Sequence, residues 1–192
     1  MDAHRAGSEE RRALHLAPAE SGDLGRYIDL LEEVAYWLET QGIQQWPTGC
    51  FRRSADYYAE SIKLEEVQLA FLGDELVGTL RVLLRDPIVW PEVVEDDAVY
   101  VSNLAVGRYW TGYRFGRRML EWAEDRTASL GRTYLRLDCF ADNEFLQRYY
   151  EQRGFTQRGE VEARYPHPIG TLHLQRYEKR VQVRQDVFWT NF

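Results

Sequence analysis

No stretch of this sequence approaches the roughly 18 apolar residues a membrane-spanning helix requires, and 29% of its residues are charged, so no membrane partner is expected. Residues 1–12 are polar and of mixed charge, without the apolar centre of a secretory signal, and the expected location is cytoplasmic. Cysteine is scarce: Cys50 and Cys139 are too few for a disulfide framework, and none of the four histidines sits in a metal-binding spacing. Both thiols read as structural, and no metal is expected. Positive charge is in deficit as well, 24 Lys and Arg against 31 Asp and Glu for a net −7, which argues against a nucleic-acid partner. There is no G-x-G-x-x-G, no G-x-x-x-x-G-K-[ST] and no G-x-S-x-G, so nothing indicates a dinucleotide loop, an ATP loop or a serine-hydrolase elbow. Repeats, low-complexity stretches and Pro/Gly/Ser-rich linkers are missing too. At 192 residues and 44% hydrophobic, the chain suits one substantial core.

The elements follow from periodicity and punctuation. Residues 1–11 read as a mobile tail, and 13–17 as a short first strand stopped by Pro18. Asp23 is placed to cap a helix reaching about Thr40, with Leu24, Tyr27, Ile28, Leu31, Val34, Ala35 and Leu38 on one stripe and Gly42 ending it. A shorter helix fits residues 54–62, capped by Ser54. Strands at 67–72 and 76–84 flank Gly73-Asp74-Glu75, a hairpin signal. The acidic run at 92–97 is either a solvated loop or a rim that attracts a cationic amine. A strand at 99–106, a helix over 114–130 and a strand at 132–139 make a right-handed parallel crossover. Asp142 or Asn143 caps a helix to about Arg153, ended by Gly154, and a last hairpin crosses Pro166-His167-Pro168. The expectation is one mixed α/β sheet with helices on both faces. Residues 181–192 form an extension whose apolar end, Phe188-Trp189-Thr190-Asn191-Phe192, docks on the core or meets a partner chain such as a second copy.

Chemistry concentrates where the strand at 99–106 hands over to the helix at 114–130. A glycine-containing turn leading into a helix N-terminus offers free N–H groups and a positive dipole end to an anion. Gly112 and Gly116 bracket that turn, and Arg108, Arg114, Arg117 and Arg118 surround it, so a phosphorylated ligand suits it.

A second stretch narrows the ligand. The strand Tyr100-Val101-Ser102-Asn103-Leu104-Ala105-Val106, then Ala141-Asp142-Asn143, then Tyr149-Tyr150-Glu151-x-x-Gly154-Phe155 stand in an order and spacing that resemble the GCN5-related N-acetyltransferase (GNAT) superfamily. The resemblance spans about residues 12–180. It implies the GNAT fold, a mixed, mostly antiparallel sheet whose central parallel strand pair splays to admit the pantetheine arm of acetyl-CoA as the co-substrate. It also implies transfer of an acetyl group to a primary amine of a small molecule or peptide. Backbone groups of Leu104 and Val106 would pair with the arm, and the loop Thr111, Gly112, Tyr113, Arg114, Phe115 and Gly116 would hold the pyrophosphate. Asn143 would hydrogen-bond the arm, and Tyr150 would protonate the departing thiolate. A phenol, with an ordinary pKa of about 10, keeps its proton at neutral pH and can make that donation. Of the adjacent Tyr149 and Tyr150, one is expected to pack and the other, Tyr150, to face the cleft.

The loop departs from the family's Arg/Gln-x-x-Gly-x-Gly/Ala pattern: Thr111 stands at the first position and Arg114 at the first glycine. Either Arg114 swings outward to bond a phosphate, or it fills the phosphate site and leaves a non-catalytic acyl-CoA sensor or interaction module. A nucleotide-binding α/β protein is a further alternative, opposed by the hairpin-first strand order. The acceptor side is expected to involve Trp37, Gln44, Gln45 and Trp46; candidates for the general base are Ser102, Asn103 and residues 95–97.

Overall fold

The hairpin signalled by Gly73 is the seed of the sheet. Val67–Leu72 and Glu75–Leu83 pair antiparallel around it, with Gly73 at φ +62°. The computed structural model describes residues 13–43 and 45–182, so the expected N-terminal tail, Gln44 and nearly all of the expected C-terminal extension lie outside the described residues. Of that extension, Val181 is buried and donates its N–H to the Thr133 carbonyl at 2.8 Å.

Seven strands form one sheet: β1 (Leu14–Pro18), β2 (Val67–Leu72), β3 (Glu75–Leu83), β4 (Ala98–Val106), β5 (Tyr134–Phe140), β6 (Thr156–Arg164) and β7 (Thr171–Arg180). Their spatial order is β1-β2-β3-β4-β5-β7-β6, and every neighbouring pair is antiparallel except β4 and β5. The helices are α1 (Leu24–Thr40), α2 (Cys50–Arg53), α3 (Ala55–Lys63), α4 (Phe115–Ser129) and α5 (Glu144–Glu151). This is the expected mixed sheet with helices on both faces.

Alternation in the strands sends apolar side chains to both faces of the sheet. On one face Met119, Leu120 and Ala123 of α4 pack with Val77, Leu80, Val99, Val101, Leu135 and Leu137. On the other, Tyr27, Leu31 and Ala35 of α1 and Tyr58 and Ile62 of α3 pack with Val67, Leu69 and Ala105. Met119 has no exposed surface, so its truncation to Ala would cost about 2–5 kcal/mol.

Local signals were met with adjustments, one being that Ser54 precedes α3 at the cap position without a side-chain capping bond. Asp23 does precede α1, but its carboxylate accepts the N–H of Glu20 at 2.8 Å, closing a 3₁₀ turn at Ser21–Asp23, and no side chain caps α1 itself. Sequence reading missed the single turn of α2, held by buried Glu32, which accepts the N–H groups of Gly49 at 2.6 Å and Arg52 at 2.9 Å. Asn143 rather than Asp142 caps α5, through an N–H from Leu146 at 3.0 Å. No helix among the described residues is long and apolar enough to cross a membrane.

Candidate active site

The strand pair at the centre of the sheet opens. β4 and β5 stay in register from Ala98 with Tyr134 to Val101 with Leu137, and pairing ends there although β4 runs on to Val106 and β5 to Phe140. A bulge coincides with the opening. Against β3, Ser102 pairs with Arg81 and Ala105 with Thr79, so Asn103 and Leu104 both stand opposite Leu80, and Asn103 adopts φ +50°. The extra residue shifts the alternation by one. Before it, Val99 and Val101 face the α4 core; beyond it, Leu104 and Val106 do, while Ala105 turns to the α1 core.

The bulge also decides where the backbone points. Gly107 donates its N–H to the Val77 carbonyl at 2.9 Å, which makes Ala105 the next residue hydrogen-bonded to β3. The peptide groups of Leu104 and Val106 therefore turn from β3 into the gap beside β5. An extended ligand arm can pair there as an added strand.

At the end of β4 the gap reaches the N-terminus of α4. The connection is a 3₁₀ turn at Arg108–Trp110, extended Thr111, Gly112 at φ +91°, then Tyr113 and Arg114. No side chain caps α4, so its first N–H groups remain available to an anion. Arg114, which occupies the cap position, is left-handed at φ +61°, a conformation that costs a non-glycine residue about 1–2 kcal/mol. Among the described residues its guanidinium forms no ion pair. The other loop arginines are engaged: Arg108 lies 4.4 Å over the Trp37 ring, Arg117 bonds Glu121 at 2.7 Å, and Arg118 sits 5.9 Å over Phe115. Gly116 carries no Cβ for good reason, since one would stand 3.3 Å from the Tyr149 hydroxyl.

These features line one cleft of about 1060 Å³, to which Tyr149, Tyr150 and Asn143 all contribute. Tyr150 is 5% exposed, ringed by Tyr149, Phe155 and Tyr177 at 5.6–5.9 Å between ring centres. Burial, reinforced by neighbouring Cys139 and Asp138, pushes its phenol well above the ordinary value. Tyr149 lines the cleft as well, half-buried, with the Arg153 guanidinium flat against it at 3.3 Å, so both tyrosines contribute to the cleft wall. Asn143 is buried; its Oδ1 is taken by Leu146 and its Nδ2 donates to Gln45 Oε1 at 2.9 Å, which leaves one Nδ2 hydrogen. Trp37, Gln45 and Trp46 line the cleft, and Gln44 lies outside the described residues.

The sequence reading did not single out Asp138. It follows the stop in β4–β5 pairing, half-buried, and lines the cleft. Burial and the nearby Asp86 carboxyl push its pKa up to about 8, against the pull of Arg81. Of the base candidates read from sequence, Ser102 and Asn103 line the cleft while residues 95–97 do not; the acidic run there is occupied by arginines, Glu92 with Arg176 at 2.6 Å, Asp96 with Arg85 at 2.8 Å and Asp97 with Arg136 at 3.5 Å. Cys50, at the cleft wall, is raised to about 11 by burial, and Cys139 to about 12, so neither is a thiolate at neutral pH. Among the described residues no three His, Cys, Asp or Glu side chains gather as a metal site.

Known proteins resemble this chain in sequence or in fold. The uncharacterized N-acetyltransferase YesJ of Bacillus subtilis is 29% identical over 150 residues, 76% of this chain and 83% of that protein. The crystal structure of a GNAT-family acetyltransferase from Listeria monocytogenes superposes with a TM-score of 0.71 at 23% identity, over 88% of this chain and 95% of the other. An aminoglycoside acetyltransferase in complex with coenzyme A and kanamycin gives 0.64 at 18% identity, over 85% and 94%. The profile of the Acetyltransferase (GNAT) family matches residues 31–155, which takes in the later part of α1, the opened strand pair, the loop before α4 and α5: this chain belongs to that family.

Proposed function

We propose that the protein is an N-acetyltransferase that moves an acetyl group from acetyl-CoA to a primary amine of a small molecule or peptide. The observation that carries this reading is the gap itself: β4 and β5 part after Val101, and the gap leads to an uncapped helix N-terminus. When bound, acetyl-CoA supplies a thioester whose carbonyl carbon an amine can attack. Leu104 and Val106 present free peptide groups to a pantetheine arm, and the remaining Asn143 hydrogen can reach the same groove. Thr111 to Gly116 and the first turn of α4 receive the pyrophosphate, with Arg114 adding a charge-assisted bond.

Two residues manage protons. As the C–N bond forms and the C–S bond breaks, the amine must lose a proton and the thiolate gain one. Asp138, held near neutrality by its burial, accepts the amine's proton. Tyr150 keeps its own proton to high pH and donates it to the sulfur. The test is discontinuous: mass spectrometry of acetylated amine together with free thiol, for wild type and Tyr150→Phe. Stoichiometric product and thiol from the wild type, with turnover cut in the variant and acetyl-CoA affinity kept, supports the reading. Equal rates in the two proteins count against Tyr150 as the acid.

One observation favours a second reading. Arg114 places a Cβ and a left-handed backbone where the family has glycine. If that side chain fills the phosphate site, the fold serves as a non-catalytic acyl-CoA sensor or interaction module, and acetyl-CoA will neither bind tightly nor turn over.

A further inference from the structure

The acceptor half of the cleft has a composition that selects among amines. Beyond the splay, its wall comes from the helices that follow α1, from the turn between β6 and β7, and from the ends of β3, β4 and β5. Trp46, Tyr57, Tyr58, Phe140, Tyr165 and Ile169 are among its lining residues. Among the described residues a single carboxylate, Asp138, lines the cleft, against Arg53, Arg81, Arg114, Arg117 and Arg153.

The other nearby carboxylates are committed elsewhere. Glu66 is bound to Arg81 at 2.6 Å. Glu32 holds the backbone of α2. Asp86 accepts the N–H groups of Ile88 and Val89 at 3.2 and 3.0 Å and faces the smaller hollow behind the Arg81 wall. Arg53 is exposed at the acceptor wall and forms no salt bridge among the described residues.

A ligand with one ammonium group favours the ionised form of Asp138, pairs with it and buries its body against rings. A second or third ammonium would enter a low-dielectric wall with no carboxylate to receive it, facing an unpaired guanidinium, and that juxtaposition is costly. From this arrangement, and resting on the acetyltransfer reading above, we infer that the acceptor is a primary amine bearing one positive charge on an aromatic or apolar body. Polycationic amines of the polyamine or aminoglycoside class are poor acceptors. Arg53 and the aromatic wall determine the specificity, and Asp138 receives the amine.

The test is calorimetric binding of 2-phenylethylamine, tryptamine, spermidine and kanamycin to the full chain, followed by turnover of each with acetyl-CoA. The aromatic monoamines are expected to bind and turn over at least tenfold better than spermidine or kanamycin. Tyr165→Ala should weaken 2-phenylethylamine, and Arg53→Glu, which reverses a rim charge, should improve spermidine about fivefold. Tighter binding of spermidine or kanamycin overturns the inference, as does an Arg53→Glu variant whose spermidine affinity is unchanged. Binding of none of the four also overturns it. In each case a parallel acetyl-CoA titration reports separately whether the acetyltransfer reading stands.

Discussion

Replacing Asp138 by Asn should make the protein more stable and less active, and the amount depends on pH. The sign follows from the two states. An aspartate in the unfolded chain titrates near 3.9, whereas Asp138 in the fold titrates at about 8. Between about pH 4 and pH 8 the native state therefore keeps a proton that the unfolded state has released, and stability falls as pH rises through that window. At about 1.4 kcal/mol per pH unit the window sets a ceiling near 5–6 kcal/mol. Solvent reaching the half-buried carboxyl from the cleft screens it, so about 2–4 kcal/mol is the expected effect. Asn cannot ionise, and Asp138→Asn removes that cost. Urea unfolding followed by tryptophan fluorescence at about pH 5 and about pH 8.5 measures it. Other carboxylates titrate too, so the quantity to read is the difference between variant and wild type: about 1–1.5 kcal/mol at the lower pH, roughly one unit above the unfolded pKa, and about 2–4 kcal/mol in favour of the variant at the higher one. Turnover should move the other way. For the wild type kcat/KM should rise as pH climbs toward about 8, and the variant should lose roughly 10²–10⁴-fold. A stability difference that is equal at both pH values refutes the raised pKa. An active variant at high pH refutes Asp138 as the proton acceptor.

Three further outcomes are expected. Tyr150→Phe, which removes only a hydroxyl from a residue 5% exposed, should lower kcat by roughly 10²-fold or more while acetyl-CoA affinity, read by calorimetry, changes little. Arg114→Gly relieves a left-handed arginine but adds freedom to the unfolded chain, so stability should shift by under about 1 kcal/mol; acetyl-CoA binding should weaken roughly tenfold at low salt, whereas tighter binding would favour the non-catalytic reading. Gly78→Ala should be destabilising: its Cβ would lie 2.7 Å from the Ala105 carbonyl and 2.9 Å from Met119 Cε, where β3 meets both β4 and α4. A loss of about 1–3 kcal/mol would lower Tm by about 2–12 °C, read by thermal melting.

The sequence disclosed what local rules control. Gly73 in a hairpin, Asn143 before a helix and the spaced apolar residues of α1 and α4 each act within a few residues, and the order of elements along the chain follows from such signals. The loop before α4 was legible for the same reason, being a contiguous strand, turn and helix start. Asp138 was not. In Leu135-Arg136-Leu137-Asp138 it reads as one more outward residue of an alternating strand, and Arg136 on the same face does turn to an ion pair with Glu178 at 2.8 Å and a bond to Tyr100 Oη at 2.9 Å. What sets Asp138 apart is that β4 leaves β5 after Val101, a property of two strands thirty residues apart in sequence. The acceptor wall was illegible for a similar reason, since Tyr57, Arg81, Ser102 and Tyr165 meet only in the folded sheet.

The most direct test of the central claim is calorimetric titration of the purified chain with acetyl-CoA, with ATP and NAD run alongside. One saturable site per chain is expected for acetyl-CoA, unmatched by either nucleotide. No heat of binding up to millimolar acetyl-CoA, or an equal response to ATP or NAD, would contradict it.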